Sequence, residues 1–182
     1  MQPVGYLYKR VASRPEWLSV PTVKDVYSLS GCISKDFADY INYWKHNGFW
    51  LFNSPAVMLS LAQEHSIALD GVKLFYYEAH ELQYDGERGG WHTYQPEAGF
   101  PVGVEIPRNA TLEGFDVATF FAGTSPECSP LSCNSCAKEI ATNEHCLIPT
   151  FEAAKLAIES GRFDQTEPGP YRIIAVYSVR DA

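Results

Sequence analysis

The chain has 182 residues and a formal net charge of −8, with 46% hydrophobic, 20% charged and 14% aromatic residues. This composition excludes a disordered, collagen-like or coiled-coil protein. A chain of this length typically folds around one hydrophobic core, and no apolar stretch approaches the roughly 20 residues of a membrane-spanning helix. We therefore expect one globular domain over residues 1–182 and no membrane association.

The amino-terminal elements are predicted from periodicity. Residues 4–11 have the β-branched and aromatic content of a strand, and residues 25–30 alternate apolar and polar side chains like a second strand. A helix is predicted after Ser34, which can cap it, and Asn47-Gly48 would end it. Its apolar positions recur at steps of three and four residues: Phe37, Tyr40, Ile41 and Trp44.

A second helix and a hairpin are predicted in the middle of the chain. Ser54 and Pro55 have the signature of a helix start, after a short buried strand or turn at residues 49–52. Four side chains of this helix would face the core: Val57, Met58, Leu61 and Ala62. Residues 74–82 are too aromatic for a helix and are interpreted as one arm of a hairpin with residues 91–95, because glycine-rich turn residues separate them.

The carboxy-terminal part is predicted to contain two strands, two helices and a final strand. Residues 102–106 and 115–122 have strand composition. A third helix would begin at Ser129-Pro130 and place four residues on one face: Cys133, Cys136, Ala137 and Ile140.

Thr150 would cap a fourth helix over residues 151–159, and residues 171–179 would form a strand. The sequence shows no internal repeat and no linker that would divide two domains. The expected fold class is therefore α+β, a single domain with a mixed or mostly antiparallel sheet covered by three or four helices.

Five cysteines, an odd number, argue against a disulfide framework: Cys32, Cys128, Cys133, Cys136 and Cys146. The amino terminus lacks the basic stretch and apolar core of a signal peptide. We therefore expect reduced thiols and a cytoplasmic location.

Cys128 is the candidate nucleophile, because the strand–loop–helix junction around it would place its thiol just before a helix. A thiolate there could attack an electrophilic carbon while a histidine, for which we choose His145, transfers the proton. The spacing Cys128-x4-Cys133-x2-Cys136-x8-His145-Cys146 also contains enough soft ligands for zinc. Burial of these small thiols in the core explains the same spacing, so no metal and no cofactor are assigned.

Acidic residues are concentrated after residue 45, where eighteen Asp and Glu side chains face eight Lys and Arg. This distribution argues against a nucleic-acid ligand and favours a basic protein partner. The residues assigned to binding combine aromatic, histidine and acidic side chains: Trp44, His46, Trp50, Tyr76, Glu78, His80, Glu81 and Glu87. Oligomeric state is left open.

The pattern contains no Walker loop, GxGxxG, HExxH or GxSxG motif. The leading hypothesis is a small acidic binding or inhibitory module, of the immunity or antitoxin kind. The alternatives are a cysteine-dependent hydrolase or acyl transferase that uses Cys128, and a zinc-binding protein that uses residues between Cys128 and Cys146.

Overall fold

A computed structural model describes residues 1–35, 37, 47–94, 103–119 and 128–180. Most of the helix predicted after Ser34, including Trp44 and His46, lies outside these residues. The fold is α+β and its sheet is antiparallel. None of the helices in the described ranges is long and apolar enough to cross a membrane.

Eight strands are formed within the described ranges: β1 (Gln2–Lys9), β2 (Ala12–Ser13), β3 (Asp25–Val26), β4 (Lys73–Ala79), β5 (Leu82–Asp85), β6 (Gly90–Thr93), β7 (Ala110–Thr119) and β8 (Tyr171–Val179). Strands β2 and β3 pair only with each other, and the other six form one sheet. Strand β8 pairs with β7 along its length and with β4 and β5 on its opposite edge. The last strand of the chain is therefore the centre of the sheet.

The helices of the described part are α1 (Pro55–Glu64), α2 (Pro130–Cys133) and α3 (Phe151–Glu159), with a short 3₁₀ helix at Cys136–Lys138. The helix starts predicted at Ser54 and Thr150 are confirmed. The Thr150 hydroxyl accepts a hydrogen bond from the Ala153 N–H at 3.2 Å, whereas the Ser54 side chain makes no such bond.

Several local predictions are wrong in whole or in part. The strand predicted at residues 25–30 is limited to Asp25–Val26. The helix predicted from Pro130 through Ile140 is interrupted after Cys133, because Ser135 has a left-handed backbone with φ 62°. Residues 103–106, predicted as a strand, are not in one. The hairpin prediction is only partly right: residues 90–93 do form a hairpin, but their partner is β5 (Leu82–Asp85), whereas residues 74–79 form β4, which pairs with β1 and β8.

The sheet contains a repeated arrangement that the sequence analysis did not find. The first half consists of β1, α1 and β4, and the second half consists of β7, α3 and β8. In each half an outer strand is followed, after a long connection, by a helix and then by an inner strand that pairs with that outer strand. The two inner strands β4 and β8 pair with each other, which gives the order β1, β4, β8, β7. From either edge, an outer strand is followed by the inner strand of the same half.

An asparagine fixes the chain before the helix in both halves. The side-chain oxygen of Asn47 accepts hydrogen bonds from the backbone N–H groups two and four residues later, at 3.1 and 3.3 Å. Asn143 does the same at 3.0 and 3.1 Å. Each amide nitrogen donates to a carbonyl of the outer strand, Asn47 to Val4 at 2.8 Å and Asn143 to Glu113 at 2.6 Å. We call this set of three hydrogen bonds an asparagine lock, and each half contains one.

A glycine beside each asparagine allows this close approach. Gly5 in β1 and Gly114 in β7 have φ values of 133° and 149°, which side chains rarely adopt. A Cβ atom would lie 2.6 Å from the Cβ of Leu51 at Gly5, and 2.8 Å from the Cβ of Leu147 at Gly114. Both positions coincide with an irregularity in the strand register. Only glycine fits without displacing the neighbouring segment.

The hydrophobic core has two clusters that share β7 and β8, because Ala118, Ile174 and Val176 belong to the first and Val117, Ile173 and Ala175 to the second. The first contains buried side chains of β1, α1 and β4, among them Leu7, Met58, Phe75 and Tyr77. The second contains side chains of β7, α3 and β8, among them Val117, Ile158 and Ile173, together with Leu131 of α2. The segments that connect these elements meet where the halves join, and that junction holds the candidate site.

A candidate thiol site between the two halves

The segment after β3 contacts the segment that begins α2. The backbone N–H of Ser30 donates a hydrogen bond to the Ser129 hydroxyl at 3.2 Å. The Ser30 hydroxyl oxygen lies 3.5 Å from the sulfur of Cys133. These contacts join residues about a hundred positions apart, and they place the cysteine at the end of α2 beside the segment that carries Cys32.

Lys9, in β1, forms hydrogen bonds with the segment that follows β3. Its ammonium group is fully buried and donates to three successive backbone carbonyls, those of Ser28, Leu29 and Ser30. An ammonium group has three N–H donors, so these carbonyls satisfy all of them in the interior. The lysine therefore fixes the backbone that leads to Cys32.

Asp116, in β7, holds both segments from the other half. Its carboxylate accepts hydrogen bonds from the Leu29 N–H at 2.7 Å and from the Ser129 hydroxyl at 2.6 Å. Asp116 is fully buried, and burial raises its pKa to about 6. One residue from each outer strand thus supports the junction, Lys9 from β1 and Asp116 from β7.

The thiols of Cys32, Cys128 and Cys133 interact at this junction. The sulfur of Cys133 lies 3.5 Å from the Ser30 hydroxyl and 4.0 Å from that of Ser132. Interactions with the thiols of Cys128 and Cys32, with smaller contributions from the Ser30 hydroxyl and the Ser129 N–H, hold the pKa of Cys133 well below its ordinary value. All five cysteines are reduced in this structure. Cys133, which is half-buried, is therefore the cysteine that this environment favours as a thiolate.

Cys128, the predicted nucleophile, has the opposite environment. Only 4% of its surface is exposed, and its thiol donates a hydrogen bond to the side-chain oxygen of Asn134 at 3.2 Å. Its interaction with Cys133, burial and the nearby Glu167 carboxylate all raise its pKa. Cys128 is thus held as a neutral thiol that donates to Asn134, which favours Cys133 over Cys128 as the nucleophile.

His145, the predicted partner of Cys128, belongs to another network. Its Nδ1 atom lies 2.6 Å from a carboxylate oxygen of Asp25, and its Nε2 atom lies 3.7 Å from one of Glu113. Its ring stacks on that of Tyr27 with a centroid distance of 4.0 Å. The structure therefore does not bring Cys128 and His145 together, because the two carboxylates and Tyr27 hold the imidazole elsewhere.

The remaining two cysteines are held as neutral thiols. Burial raises the pKa of Cys136 to about 11 and that of Cys146 to about 12. No group of three or more His, Cys, Asp or Glu side chains is placed to hold a metal ion within the ranges that the structure describes.

Two of the residues predicted to bind a partner contact each other. The Tyr76 hydroxyl donates to Glu78 at 3.1 Å, and the Tyr177 hydroxyl donates to the second carboxylate oxygen of Glu78 at 3.0 Å. His80 lies further along the chain, where its ring contacts those of Trp91 and Phe151 and burial lowers its pKa.

The other predicted binding residues are dispersed. Glu81 and Glu87 are exposed on either side of β5. Trp50 is partly buried against the first core cluster. Trp44 and His46 lie outside the described residues, so their place in the fold is not assigned.

Sequence reasoning missed Cys32 as a site residue, although a signal was present. Leu29-Ser30-Gly31-Cys32 resembles Leu131-Ser132-Cys133, and the two stretches end at cysteines that meet in space. Comparison of the chain with protein-family models, curated proteins and solved structures finds no match in any of the three.

Proposed function

We propose that the protein performs thiol–disulfide exchange, with Cys133 as the nucleophile and Cys32 as the second, resolving thiol. The observation that carries this proposal is that the segments of Cys32 and Cys133 are joined through Ser30, which contacts both Ser129 and the Cys133 sulfur, so that the Cys133 thiol interacts with that of Cys32. A thiolate is the reactive form of cysteine, and a hydrogen bond from the Cys32 thiol favours it.

In the first step the Cys133 thiolate attacks one sulfur of a substrate disulfide, R–S–S–R. The new bond joins Cys133 to one R–S group, and the other group leaves as a thiolate that takes a proton from water. In the second step Cys32 loses its proton to solvent and attacks the Cys133 sulfur. The second R–S thiolate leaves and a Cys32–Cys133 disulfide remains, so the protein has transferred two electrons to the substrate.

The environment of Cys32 is consistent with this order of events. Its hydrogen bond to Cys133 is the largest cause of its raised pKa, so Cys32 stays protonated while Cys133 is a thiolate. When Cys133 enters the mixed disulfide, its negative charge is lost and that effect disappears. Cys32 is exposed and can then release its proton to water.

The test is to incubate the reduced protein with a small disulfide and to map the products by mass spectrometry after trapping with iodoacetamide. The wild type should form a Cys32–Cys133 disulfide. Cys32→Ser should stop at a mixed disulfide on Cys133, and Cys133→Ser should form neither product. Cys146→Ala is the control, because this thiol is buried in the second core cluster, and the variant should behave like the wild type. A Cys133→Ser protein that still forms a mixed disulfide at the wild-type rate would refute the proposal.

A second proposal, favoured by the distribution of charge, is that the surface binds a basic protein. In the part of the chain that the structure describes, two basic side chains are buried, those of Lys9 and Arg172, but only one carboxylate, that of Asp116. The remaining surface is therefore more acidic than the net charge indicates, and Glu81 and Glu87 are exposed on it.

This second proposal is tested with polylysine as the basic probe. Binding should weaken as salt rises from about 50 to 500 mM, because exposed charges are screened. It should weaken more in Glu81→Lys and Glu87→Lys than in Asp70→Lys, which makes the same charge change on another exposed segment. Equal effects of the three substitutions would remove any special role for Glu81 and Glu87.

A further inference from the structure

A cavity of about 650 Å³ opens between the α2 segment and the turn after α3. Its walls include Asn134, Cys136, Lys138, Arg162 and Thr166. Pockets that bind small molecules typically measure about 300 to 1,000 Å³, so this cavity is large enough for a ligand of peptide size.

The cavity shares a wall with the thiol site. Asn134 lines the cavity and directly follows Cys133 in the chain. Its side-chain oxygen accepts a hydrogen bond from the Cys128 thiol at 3.2 Å, and its nitrogen donates to Glu167 at 3.3 Å. A molecule in the cavity is therefore separated from the three thiols by one side chain.

The charges around the cavity differ from those of the chain as a whole. Lys138 and Arg162 line it with a single acidic side chain, that of Glu139, while the whole chain carries a net charge of −8. Neither Lys138 nor Arg162 forms an ion pair with another residue of the described part. These two cations are therefore available to a carboxylate of a ligand.

We propose that the disulfide attacked by Cys133 belongs to a small, carboxylate-bearing molecule that binds in this cavity through Lys138 and Arg162. This inference rests on the proposed thiol–disulfide exchange and names its substrate class. The two cations would hold the carboxylates in the cavity, while the disulfide extends past Asn134 to Cys133. A positively charged disulfide would gain nothing from these residues.

The experiment compares two disulfides in single-turnover reactions with the reduced protein. Oxidised glutathione carries carboxylates and a net negative charge, whereas cystamine carries two positive charges and no carboxylate. The double variant Lys138→Gln/Arg162→Gln should react at least tenfold more slowly with oxidised glutathione and no more slowly with cystamine. Arg108→Gln/Arg180→Gln, which removes two exposed cations at the opposite end of β8 from this cavity, is the charge-matched control and should change neither rate.

The outcomes separate this inference from the proposed function. If the double variant slows both disulfides equally or neither, the substrate class is wrong while thiol–disulfide exchange at Cys133 stands. If wild-type Cys133 reacts with neither disulfide, the proposed function is wrong, and the inference is wrong with it. The pH profile of Cys133 alkylation in the double variant should match that of the wild type, because the substitutions are meant to change binding rather than the thiolate.

Discussion

The two halves of the sheet share their backbone locks but differ in the polar side chain that each sends to the thiol site. Lys9 lies four residues after the strand glycine of the first half, and Asp116 lies two residues after that of the second. The equivalent positions in the opposite halves are Ala118 and Leu7, which are buried and apolar. The two halves therefore share one backbone arrangement. The site where they join depends on two polar residues, Lys9 and Asp116, whose counterparts in the opposite half are apolar.

The largest loss of stability is expected on substitution of the two strand glycines, Gly5 and Gly114. Gly5→Ala and Gly114→Ala should each lower the free energy of unfolding by about 3 kcal/mol or more, because a Cβ would clash with a neighbouring segment and the backbone has positive φ. Denaturant unfolding measures both. Gly71→Ala is the control: φ is 70° there but no atom lies within 4 Å, so only the backbone strain applies. If the three substitutions cost the same, close packing at the locks is not the constraint.

The next test removes the asparagines. Asn47→Ala and Asn143→Ala each delete bonds to two backbone N–H groups and one carbonyl, and we expect each to cost about 2 to 3 kcal/mol of unfolding free energy. The comparison predicts similar costs, since the geometry is the same in both halves. A large cost in one half and none in the other would show that the locks are not equivalent.

These locks also show what local sequence can predict. Thr150, with α3 after it, and the strand composition of residues 171–179 are local signals, and both elements were predicted correctly. The asparagine locks depend on contacts with a strand many residues away, which leave no periodic pattern. The repeat was therefore invisible in the sequence, although it organises the sheet.

The thiol site was less predictable, for related reasons. A lysine in a strand is usually exposed, and Lys9 is buried only because three carbonyls of a distant segment converge on it. The spacing of Cys133 and Cys136 indicated one helical face, but the left-handed backbone of Ser135 ends that helix. Sequence reasoning therefore chose Cys128, five residues before the cysteine that we propose as the nucleophile, and did not single out Cys32.

A third test addresses the unmatched acidic residue, Asp116. Because its pKa is raised in the folded protein from 3.8 to about 6, the folded state binds this proton more tightly than the unfolded state. Its contribution to stability should therefore fall as pH rises from about 4 to about 6, by up to about 3 kcal/mol. Asp116→Asn removes that dependence. Unfolding free energies measured across this pH range should diverge between the two proteins, and parallel profiles would contradict the assignment.

The smallest expected difference concerns the helix starts. Thr150→Ala should cost about 1 kcal/mol, because it removes a hydrogen bond to the Ala153 N–H. Ser54→Ala should cost less, because the Ser54 side chain makes no capping bond. Thermal or denaturant unfolding of the two variants ranks them. A larger loss from Ser54→Ala would reverse the comparison of the two helix starts.

The proposed thiol–disulfide exchange depends most directly on the ionisation of Cys133. The rate of Cys133 alkylation by iodoacetamide, followed peptide by peptide across pH, measures the apparent pKa of this thiol. We predict a value well below that of an ordinary cysteine, about 8.5, and a rise towards it in Cys32→Ser/Cys128→Ala. An apparent pKa near 8.5 in the wild type, unchanged in that double variant, would contradict the central claim.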